Sequence, residues 1–408
     1  MKNHKYIIVE FNAARRYSHH WSYVSKYKNF LEDFSEPYEI WIPKNAHADI
    51  LSGLGKNSHA FLRSNVYGFE KHENTTSWFI VKIIDIFLLQ FKHCLNDQKF
   101  EVLKRFFSKF YTSAPYKRIK SMSNSGIELN LIFPSMDSLS FRLVERCLKQ
   151  GLPINRICLR LGSGYKDIFK VINIEERLNK LITEFPECNL VLGYETNAHK
   201  EVLLNYGLNS EYLFWTPAPP SNQYTINKKV SKVLTLGFLG VARPNKGFVE
   251  IPELVKSLTS LSISFQVIIQ EAMYSWSEYI NAMQQLNAFS NRITILPANI
   301  SEQELENVFN IIDILVLPYN TENYKLAGSG LLFTAADLNI PTLTKKGVAF
   351  EWDINEYSLG FTYDNSQDFI SIIKLFIDHT INYGFESYNT DRYLAIKAFL
   401  GVLNRTAV

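Results

Sequence analysis

The chain has 408 residues, of which 46% are hydrophobic, 14% aromatic and 20% charged. This is the composition of a folded protein, and the length predicts two domains of roughly 200 residues each. The four cysteines are scattered without a CxxC pair, which excludes a disulfide scaffold and a cysteine-based zinc site and favours a reducing, cytoplasmic location. The most apolar window, residues 78–91, is too short to span a bilayer, and we expect neither a signal peptide nor a membrane span.

Charge is unevenly distributed along the chain, although the formal net charge is only +3. Residues 231–408 carry 12 Lys/Arg against 18 Asp/Glu, which leaves 31 against 22 in residues 1–230. The densest basic stretch is 92–120, with eight Lys/Arg. The asymmetry predicts that the first half meets an anionic membrane surface or an anionic lipid-linked acceptor, with a solvated helical face as the alternative. We expect no binding to nucleic acid.

Short apolar runs in the first half have the length and the branched or aromatic content of β-strands. They are YIIVEF (6–11), YEIWI (38–42), LNLIF (129–133), RICLRL (156–161) and CNLVLGY (188–194). The segment from about 66 to 120 interrupts this rhythm because its pattern is helical, basic and aromatic. It is predicted to be a helical insertion in the first domain.

A proline-containing stretch, residues 215–232, has no apolar periodicity and is predicted to be a linker. The strand-like runs that follow it are VLTLGFLG (233–240), ISFQVIIQ (263–270), RITILP (292–297), DILVLPY (313–319) and PTLT (341–344). Helical patterns separate these runs at 252–261, 275–289, 302–311 and 329–338. Ser301 and Glu304 have the spacing of a capping box at the start of one of them.

Alternating strands and helices predict an α/β protein with two Rossmann-like domains, each a parallel sheet covered on both faces. The predicted first domain spans 1–222 and includes the insertion. The predicted second domain spans 231–385. Residues 386–408 are predicted to form a terminal helix, because 392–404 is amphipathic and no strand follows it.

Two cations lie at a predicted strand-to-helix turn, in the stretch FLGVARPNKGF (238–248). Gly240 lets the backbone approach a neighbour closely, and Arg243 and Lys246 flank a Pro-Asn turn. Because ligands of doubly wound sheets lie beyond the carboxyl ends of the strands, the turn predicts a pyrophosphate site. The alternative is a surface turn with two solvated cations.

A second candidate anion site lies in the stretch 319–344, where a polar loop leads into the sequence Gly328-Ser329-Gly330 and then a helix. Free N–H groups and the helix dipole make such a helix start favourable for an anion. Both candidate sites belong to one sheet domain, so the two turns are predicted to converge on one phosphate pair.

The stretches LGVARPNKGFVEIPELV and ILVLPYNTENYKLAGSGLLFTAADLNIPTLT together resemble the donor domain of GT-B glycosyltransferases, in particular bacterial retaining enzymes that build polysaccharides. The resemblance covers about 230–365. It implies that Arg243 and Lys246 bind the donor's diphosphate and that Ser329 and Gly330 supply backbone amides to the same phosphates. The donor-binding set expected on this basis also includes Gly240, Tyr324, Gly328 and Thr334. The same fold implies two domains that face each other across a cleft, with a terminal helix that crosses back to the first domain.

One departure from the family concerns its glutamates. The family usually has a glutamate that binds the nucleotide ribose at the position of Thr334, and a companion glutamate at the position of Leu326. Neither carboxylate is present here. The identity of the nucleotide is therefore not implied by the resemblance.

Basic and imidazole side chains follow the first predicted strand, where the fold implies that they line the cleft: Arg15, Arg16, His19 and His20. A histidine at this position can act as a general base on an acceptor hydroxyl or donate a hydrogen bond to the donor sugar; a structural role is the alternative. Asp137, in the loop FPSMDS (133–138), is an acceptor-side candidate and equally a candidate helix N-cap.

The function predicted from these features is transfer of a sugar from a nucleotide-diphosphate donor to a hydroxyl of a surface polysaccharide or glycolipid. The resemblance implies retention of configuration. We expect a metal-independent enzyme without a cofactor, located in the cytoplasm, either free or peripheral at the inner membrane face. Two alternatives stay open: a sugar-nucleotide epimerase of the same fold, and a non-catalytic partner subunit that has lost the glutamates.

Overall fold

The structure of the chain is a computed structural model that describes residues 4–13, 19–44, 46, 48–62, 97–162, 174–220, 233–273, 276–378 and 381–402. It divides into two compact units. The first domain comprises Met1–Tyr194, Leu203–Thr216 and Lys397–Val408. The second domain comprises Glu195–Val202 and Pro217–Ile396.

The first domain contains a seven-stranded parallel sheet with strand order β3-β2-β1-β4-β5-β6-β7. Its strands are β1 (His4–Val9), β2 (Tyr38–Pro43), β3 (Ser58–Leu62), β4 (Glu128–Phe133), β5 (Ile154–Arg160), β6 (Leu190–Tyr194) and β7 (Leu213–Trp215). The central strands are apolar on both faces, as parallel strands covered by helices must be. In β1, for example, Ile7, Ile8 and Val9 are fully buried.

Helices connect these strands in the order of the chain. They are α1 (His19–Asp33), α2 (Ala48–Leu54), α3 (Asp97–Asn124), α4 (Ser138–Lys149), α5 (Ile174–Glu184) and α6 (Asn197–Asn205). Within the predicted insertion, the described part from residue 97 onward is helical, as expected, and belongs to α3. The part from 66 to 96 lies outside the described residues.

The second domain contains a six-stranded parallel sheet with strand order β10-β9-β8-β11-β12-β13. Its strands are β8 (Leu234–Phe238), β9 (Phe265–Gln270), β10 (Ile293–Leu296), β11 (Ile314–Leu317), β12 (Thr342–Lys345) and β13 (Gly360–Tyr363). Its helices are α7 (Ile251–Leu258), α8 (Ser277–Leu286), α9 (Glu302–Phe309), α10 (Gly330–Asp337), α11 (Glu351–Glu356), α12 (Ser366–Asp378) and α13 (Phe385–Leu400), whose last residues belong to the first domain. The predicted capping box is confirmed: Ser301 Oγ accepts from the N–H of Glu304, and the Glu304 carboxylate accepts from the N–H of Ser301.

The two parallel sheets of the prediction are confirmed, and every strand expected from the sequence is present. Three strands were not predicted: β3, β7 and β13. Strand β3 is half-buried and β7 has only three residues, so neither produces a long apolar run. Strand β13 begins at Gly360, where a side chain would overlap the backbone of Thr342, and a glycine in a strand weakens the sequence pattern.

A buried arginine fixes the last helix within the second domain. Arg392 of α13 is fully buried and donates hydrogen bonds to the carbonyls of Ala218 and Phe333, and to the side chains of Asp337 and Asn389. The Arg392–Asp337 ion pair, at 2.8 Å, ties α13 to the end of α10. These contacts of Arg392 anchor α10 to α13.

The topology determines where each sheet presents its loops. The strand order reverses direction between β1 and β4 in the first sheet, and between β8 and β11 in the second. Ligands of open parallel sheets bind beyond the carboxyl ends of the strands at such a switch point. These four strands are followed by the four loops that contain the candidate residues of the sequence. None of the helices among the described residues is long and apolar enough to cross a membrane.

Candidate functional site

The turn after β8 is pinned by a buried glutamine. Gly240 has a left-handed backbone (φ 86°), and its N–H donates to Gln270 Oε1 at 2.8 Å. Gln270, at the end of β9, is 6% exposed and donates in turn to the carbonyl of Ala298 at 2.8 Å. The carboxamide thereby fixes the first residues of the turn. Gln270 could not be identified from the sequence, because a single polar residue at the end of a strand forms no recognisable motif.

The same turn folds a lysine back against the glycine. A short 3₁₀ turn, Pro244–Lys246, ends at Gly247, which is also left-handed (φ 69°) and where a side chain would overlap the carbonyl of Pro318. A Cβ placed on Gly240 would lie only 2.5 Å from Lys246 Nζ. The space that a glycine provides at position 240 is therefore filled by the lysine ammonium. The sequence predicted a glycine here because the backbone approaches a neighbour closely. The position of Lys246 Nζ is a second reason for it.

The two cations of the turn repel each other. Burial, and then the nearby charge of Arg243, lower the pKa of the Lys246 ammonium to about 8. Lys246 Nζ lies 5.8 Å from the ring centroid of Tyr319, whose electron-rich face offers partial compensation. The ion pairs among the described residues of the second domain do not include Arg243 or Lys246. An anion at this turn would relieve the repulsion.

The loop after β11 packs against this turn, so the two loops lie side by side, and their convergence on one phosphate pair stays a prediction. Asn320 donates from its N–H to the carbonyl of Asn245 at 3.1 Å. A Cβ placed on Gly240 would lie 3.0 Å from Cδ1 of Leu331, in the first turn of α10. Burial raises the pKa of the Tyr324 hydroxyl, and the nearby charge of Arg243 opposes this shift.

The start of α10 has an N-cap residue and an exposed first residue. Ser329 is the N-cap, with its hydroxyl accepting from the N–H of Leu332 at 3.4 Å, and it also hydrogen-bonds with the hydroxyl of buried Tyr319. Tyr319 packs against Tyr324 with ring centroids 4.3 Å apart and ring planes tilted by 35°. Gly330 is exposed, and an added Cβ there would have no heavy atom within 4 Å. The first turn of α10 thus lies beside Gly240, the residue against which Lys246 Nζ folds.

Thr334 stands where the family usually has its ribose-binding glutamate. Its hydroxyl donates to the carbonyl of Gly330 at 3.1 Å, within α10. A carboxylate does reach the neighbouring loop from elsewhere in the chain: Glu195 Oε2 accepts from the N–H of Gly328 at 3.2 Å. Thr196 donates to the carbonyl of Leu326 at 2.9 Å. Glu195 is a residue of this loop region that the sequence analysis missed.

A second cluster lies at the carboxyl ends of β1 and β4 in the first domain. His20, in α1, has its Nδ1 3.1 Å from Ser135 Oγ and 3.5 Å from Glu10 Oε1. Glu10 is fully buried, and its Oε1 also accepts from the N–H of Asn12 at 2.9 Å. The sequence analysis counted Glu10 as the end of a strand and did not identify it as a site residue.

Of the other candidate residues in the first domain, only Asp137 has a side chain that the structure describes. Asp137 is the N-cap of α4, since Oδ1 accepts from the N–H of Ser140 at 2.7 Å, and its Oδ2 accepts from the side-chain amide of Asn12 at 3.1 Å. The capping alternative for Asp137 is therefore confirmed. Arg15 and Arg16 lie outside the described residues. His19 begins α1, but its side chain is not described.

Burial and charge shift the protonation of this cluster. Burial lowers the pKa of His20, but the carboxylates of Glu10 and Asp137 outweigh it, so the pKa lies above its usual value. The pKa of Asp137 is raised by burial and by the charge of Glu10, against its hydrogen bonds to Ser140. Among the described residues, no group of three or more His, Cys, Asp and Glu side chains could hold a metal ion.

Comparison with known proteins identifies the fold. No family model and no curated protein matches the sequence. Solved structures do match: the two parallel-sheet domains have the GT-B fold of glycosyltransferases. At sequence identities of 10–13% these matches show the fold alone.

Three of the matching structures illustrate the likeness. The lipopolysaccharide outer core galactosyltransferase WaaB is 11% identical, with a TM-score of 0.54 over 97% of this chain and 99% of that one. HepE from Anabaena, solved with UDP and glucose, is 13% identical, with a TM-score of 0.54 over 97% and 99%. A protein described as a UDP-N-acetylglucosamine 2-epimerase, from Listeria monocytogenes, is 12% identical, with a TM-score of 0.56 over 98% of each chain.

Substitution of Gly240 tests whether the glycine positions the lysine. In Gly240→Ala, the new methyl group must displace Lys246 Nζ, so we expect the affinity for inorganic pyrophosphate to fall at least tenfold, measured by calorimetry. Gly126→Ala is the matched control, because Gly126 has a similar backbone (φ 74°) but no heavy atom within 4 Å of an added Cβ. Both variants lose about 1–2 kcal/mol of stability to backbone strain. Unchanged pyrophosphate binding in Gly240→Ala would contradict this role of the turn.

Proposed function

We propose that the protein is a glycosyltransferase that moves a sugar from a nucleotide-diphosphate donor to an acceptor hydroxyl. The observation that carries the proposal is the pair Arg243 and Lys246, held at the switch point of the second sheet beside the open start of α10. Burial and the charge of Arg243 destabilise the Lys246 ammonium, and the start of the capped helix adds partial positive charge near the turn. A diphosphate is the ligand that this arrangement fits best.

The same groups would assist the chemistry. When the bond between sugar and diphosphate breaks, negative charge grows on the departing oxygens, and preorganised donors aimed at that charge lower the barrier. The fork of Arg243 suits two phosphate oxygens, whereas Lys246 acts as a point charge. On this proposal the cations and α10 take the place of a metal ion. HepE, which shares the fold, was solved with UDP and glucose, and this supports a nucleotide sugar as the donor.

The acceptor is proposed from charge and from the fold. WaaB is described as a lipopolysaccharide galactosyltransferase, and this supports an oligosaccharide or lipid-linked acceptor for the present chain. The basic segment 92–120 would draw the protein to an anionic membrane face, which makes it a peripheral enzyme of the cytoplasmic side. Retention of configuration is part of the proposal and follows from the resemblance of the second domain to retaining enzymes.

A sugar-nucleotide epimerase is the second candidate. The sequence showed no convincing pair of acid–base carboxylates, but the structure brings Glu10 and Asp137 together on either side of Asn12, with His20 beside Glu10. A structure described as an epimerase shares the fold. One assay in deuterated water distinguishes the two functions. An epimerase that removes and returns a proton incorporates solvent deuterium into the sugar ring, whereas a transferase releases the nucleoside diphosphate.

A turnover measurement tests the proposed function. In a screen of nucleotide sugars, hydrolysis or transfer should release a nucleoside diphosphate, and Arg243→Ala should lower kcat by about a hundredfold, the scale for one preorganised donor. Arg243 is exposed, so the variant should unfold at nearly the wild-type temperature. Lys325→Ala is the matched control, since Lys325 is an exposed cation of the neighbouring loop. Full activity in a variant with both Arg243 and Lys246 changed to alanine would refute the assignment.

The depressed pKa of Lys246 gives a separate prediction. At pH 8.5 the ammonium is largely neutral in the free protein, because its pKa is about 8, and a bound diphosphate must raise that pKa. Binding of a nucleoside diphosphate at pH 8.5 should therefore take up more than half a proton, and at pH 6.5 almost none. Calorimetry in buffers of different ionisation enthalpy measures this uptake. Lys246→Arg, which keeps the charge but cannot deprotonate, should abolish it; equal uptake in both proteins would show that another group titrates.

A further inference from the structure

We propose that Glu10 is a positioning residue that keeps His20 in its imidazolium form, and that His20 donates a hydrogen bond to an oxygen of the acceptor instead of removing a proton from it. The acceptor role rests on the proposed glycosyl transfer. The Glu10–His20 pairing is independent of it.

The geometry of Glu10 points to this role. The side chain is fully buried at the end of β1, where an uncompensated carboxylate is costly. Its Oε1 is shared between the N–H of Asn12 and Nδ1 of His20, while its Oε2 has no hydrogen-bond partner among the described residues. A buried carboxylate that is only half satisfied requires a nearby positive charge. His20 supplies it from 3.5 Å away.

Among the residues that the structure describes, three charged groups act on His20. Glu10 approaches from the end of β1, and Asp137 from the loop after β4; both favour the imidazolium form. Arg160, from β5, opposes it, but its guanidinium is directed to the carbonyls of Thr216 and Pro134 and to the hydroxyl of Tyr23. Two carboxylates against one engaged arginine leave the protonated histidine favoured.

The protonated form determines the chemistry that His20 can perform. A general base must be neutral before it can accept a proton, whereas an imidazolium donates from both ring nitrogens. About a fifth of the His20 side chain is exposed, which is enough for contact with a substrate oxygen. Both possible roles for a histidine in this loop were open from the sequence. A carboxylate that favours the protonated ring is the basis on which we propose the donor role.

The test compares Glu10→Gln with the wild type by two methods. Removal of the carboxylate should lower the pKa of His20, followed by NMR of ¹³C-labelled imidazole, by about one pH unit or more. With the donor saturating, so that the bound diphosphate holds Lys246 protonated, the alkaline limb of the kcat profile should move to lower pH by the same amount. At pH 8.5 kcat should fall about tenfold relative to wild type, with little change at pH 5.5.

Two further variants keep the test decisive if Glu10→Gln does not fold. Asp137→Asn removes the second carboxylate but retains an N-cap residue, so it should lower the pKa of His20 in a folded protein. His20→Gln retains a donor that cannot titrate, so it should abolish the alkaline limb and keep part of the rate.

The outcomes that overturn the proposal are distinct. An unchanged His20 titration in Glu10→Gln would refute the pairing. A shift of the acidic limb instead of the alkaline one would show that His20 is a base, and a lower His20 pKa with an unmoved kcat profile would show that it does not take part. If no nucleotide sugar is turned over by any variant while His20 titrates as expected, the pairing stands, and the proposed glycosyl transfer and the acceptor role fail.

Discussion

The burial of the Lys246 ammonium beside Arg243 is the constraint on which the second domain's candidate site depends. The fold holds the lysine there, because Gly240 accepts Lys246 Nζ where a side chain would stand, and Gly247 allows the turn to pass the carbonyl of Pro318. Gln270 fixes the start of the turn through the N–H of Gly240. Burial of an ammonium costs stability in the free protein, and under the proposed function the bound diphosphate offsets that cost.

The first domain shows the opposite arrangement at the equivalent strand ends. There the excess charge is negative: Glu10 and Asp137 are buried, bridged by Asn12, and balanced by His20. In the second domain, burial and the charge of Arg243 lower the pKa of Lys246, for which we propose a phosphate ligand. In the first domain, the charges of Glu10 and Asp137 outweigh burial and raise the pKa of His20. The family's glutamates at 326 and 334 are absent, and Glu195 is the carboxylate that contacts the same loop instead.

The parts that could be predicted from the sequence are those that depend on neighbouring residues. The buried parallel strands appear as continuous apolar runs, and the turn 238–248 contains its glycine and both cations within a few positions. Glu10 and Gln270 could not be identified in this way, because each is a single polar residue at the end of an apolar run, and its burial is decided by distant segments. The contact of Glu195 with Gly328 joins residues 133 positions apart. Patterns formed by neighbouring residues contain no information about contacts between residues so far apart in the sequence.

The most direct measurement of the central claim compares how tightly the protein binds a nucleoside diphosphate and the corresponding nucleoside. On the proposed assignment Thr334 offers no charged contact to a ribose and the two cations bind the phosphates, so the diphosphate should bind at least a hundredfold more tightly by calorimetry. In a variant with both Arg243 and Lys246 changed to alanine, this ratio should fall to about ten or less. A nucleoside that binds as tightly as its diphosphate, or a ratio unchanged in the double variant, would contradict the account.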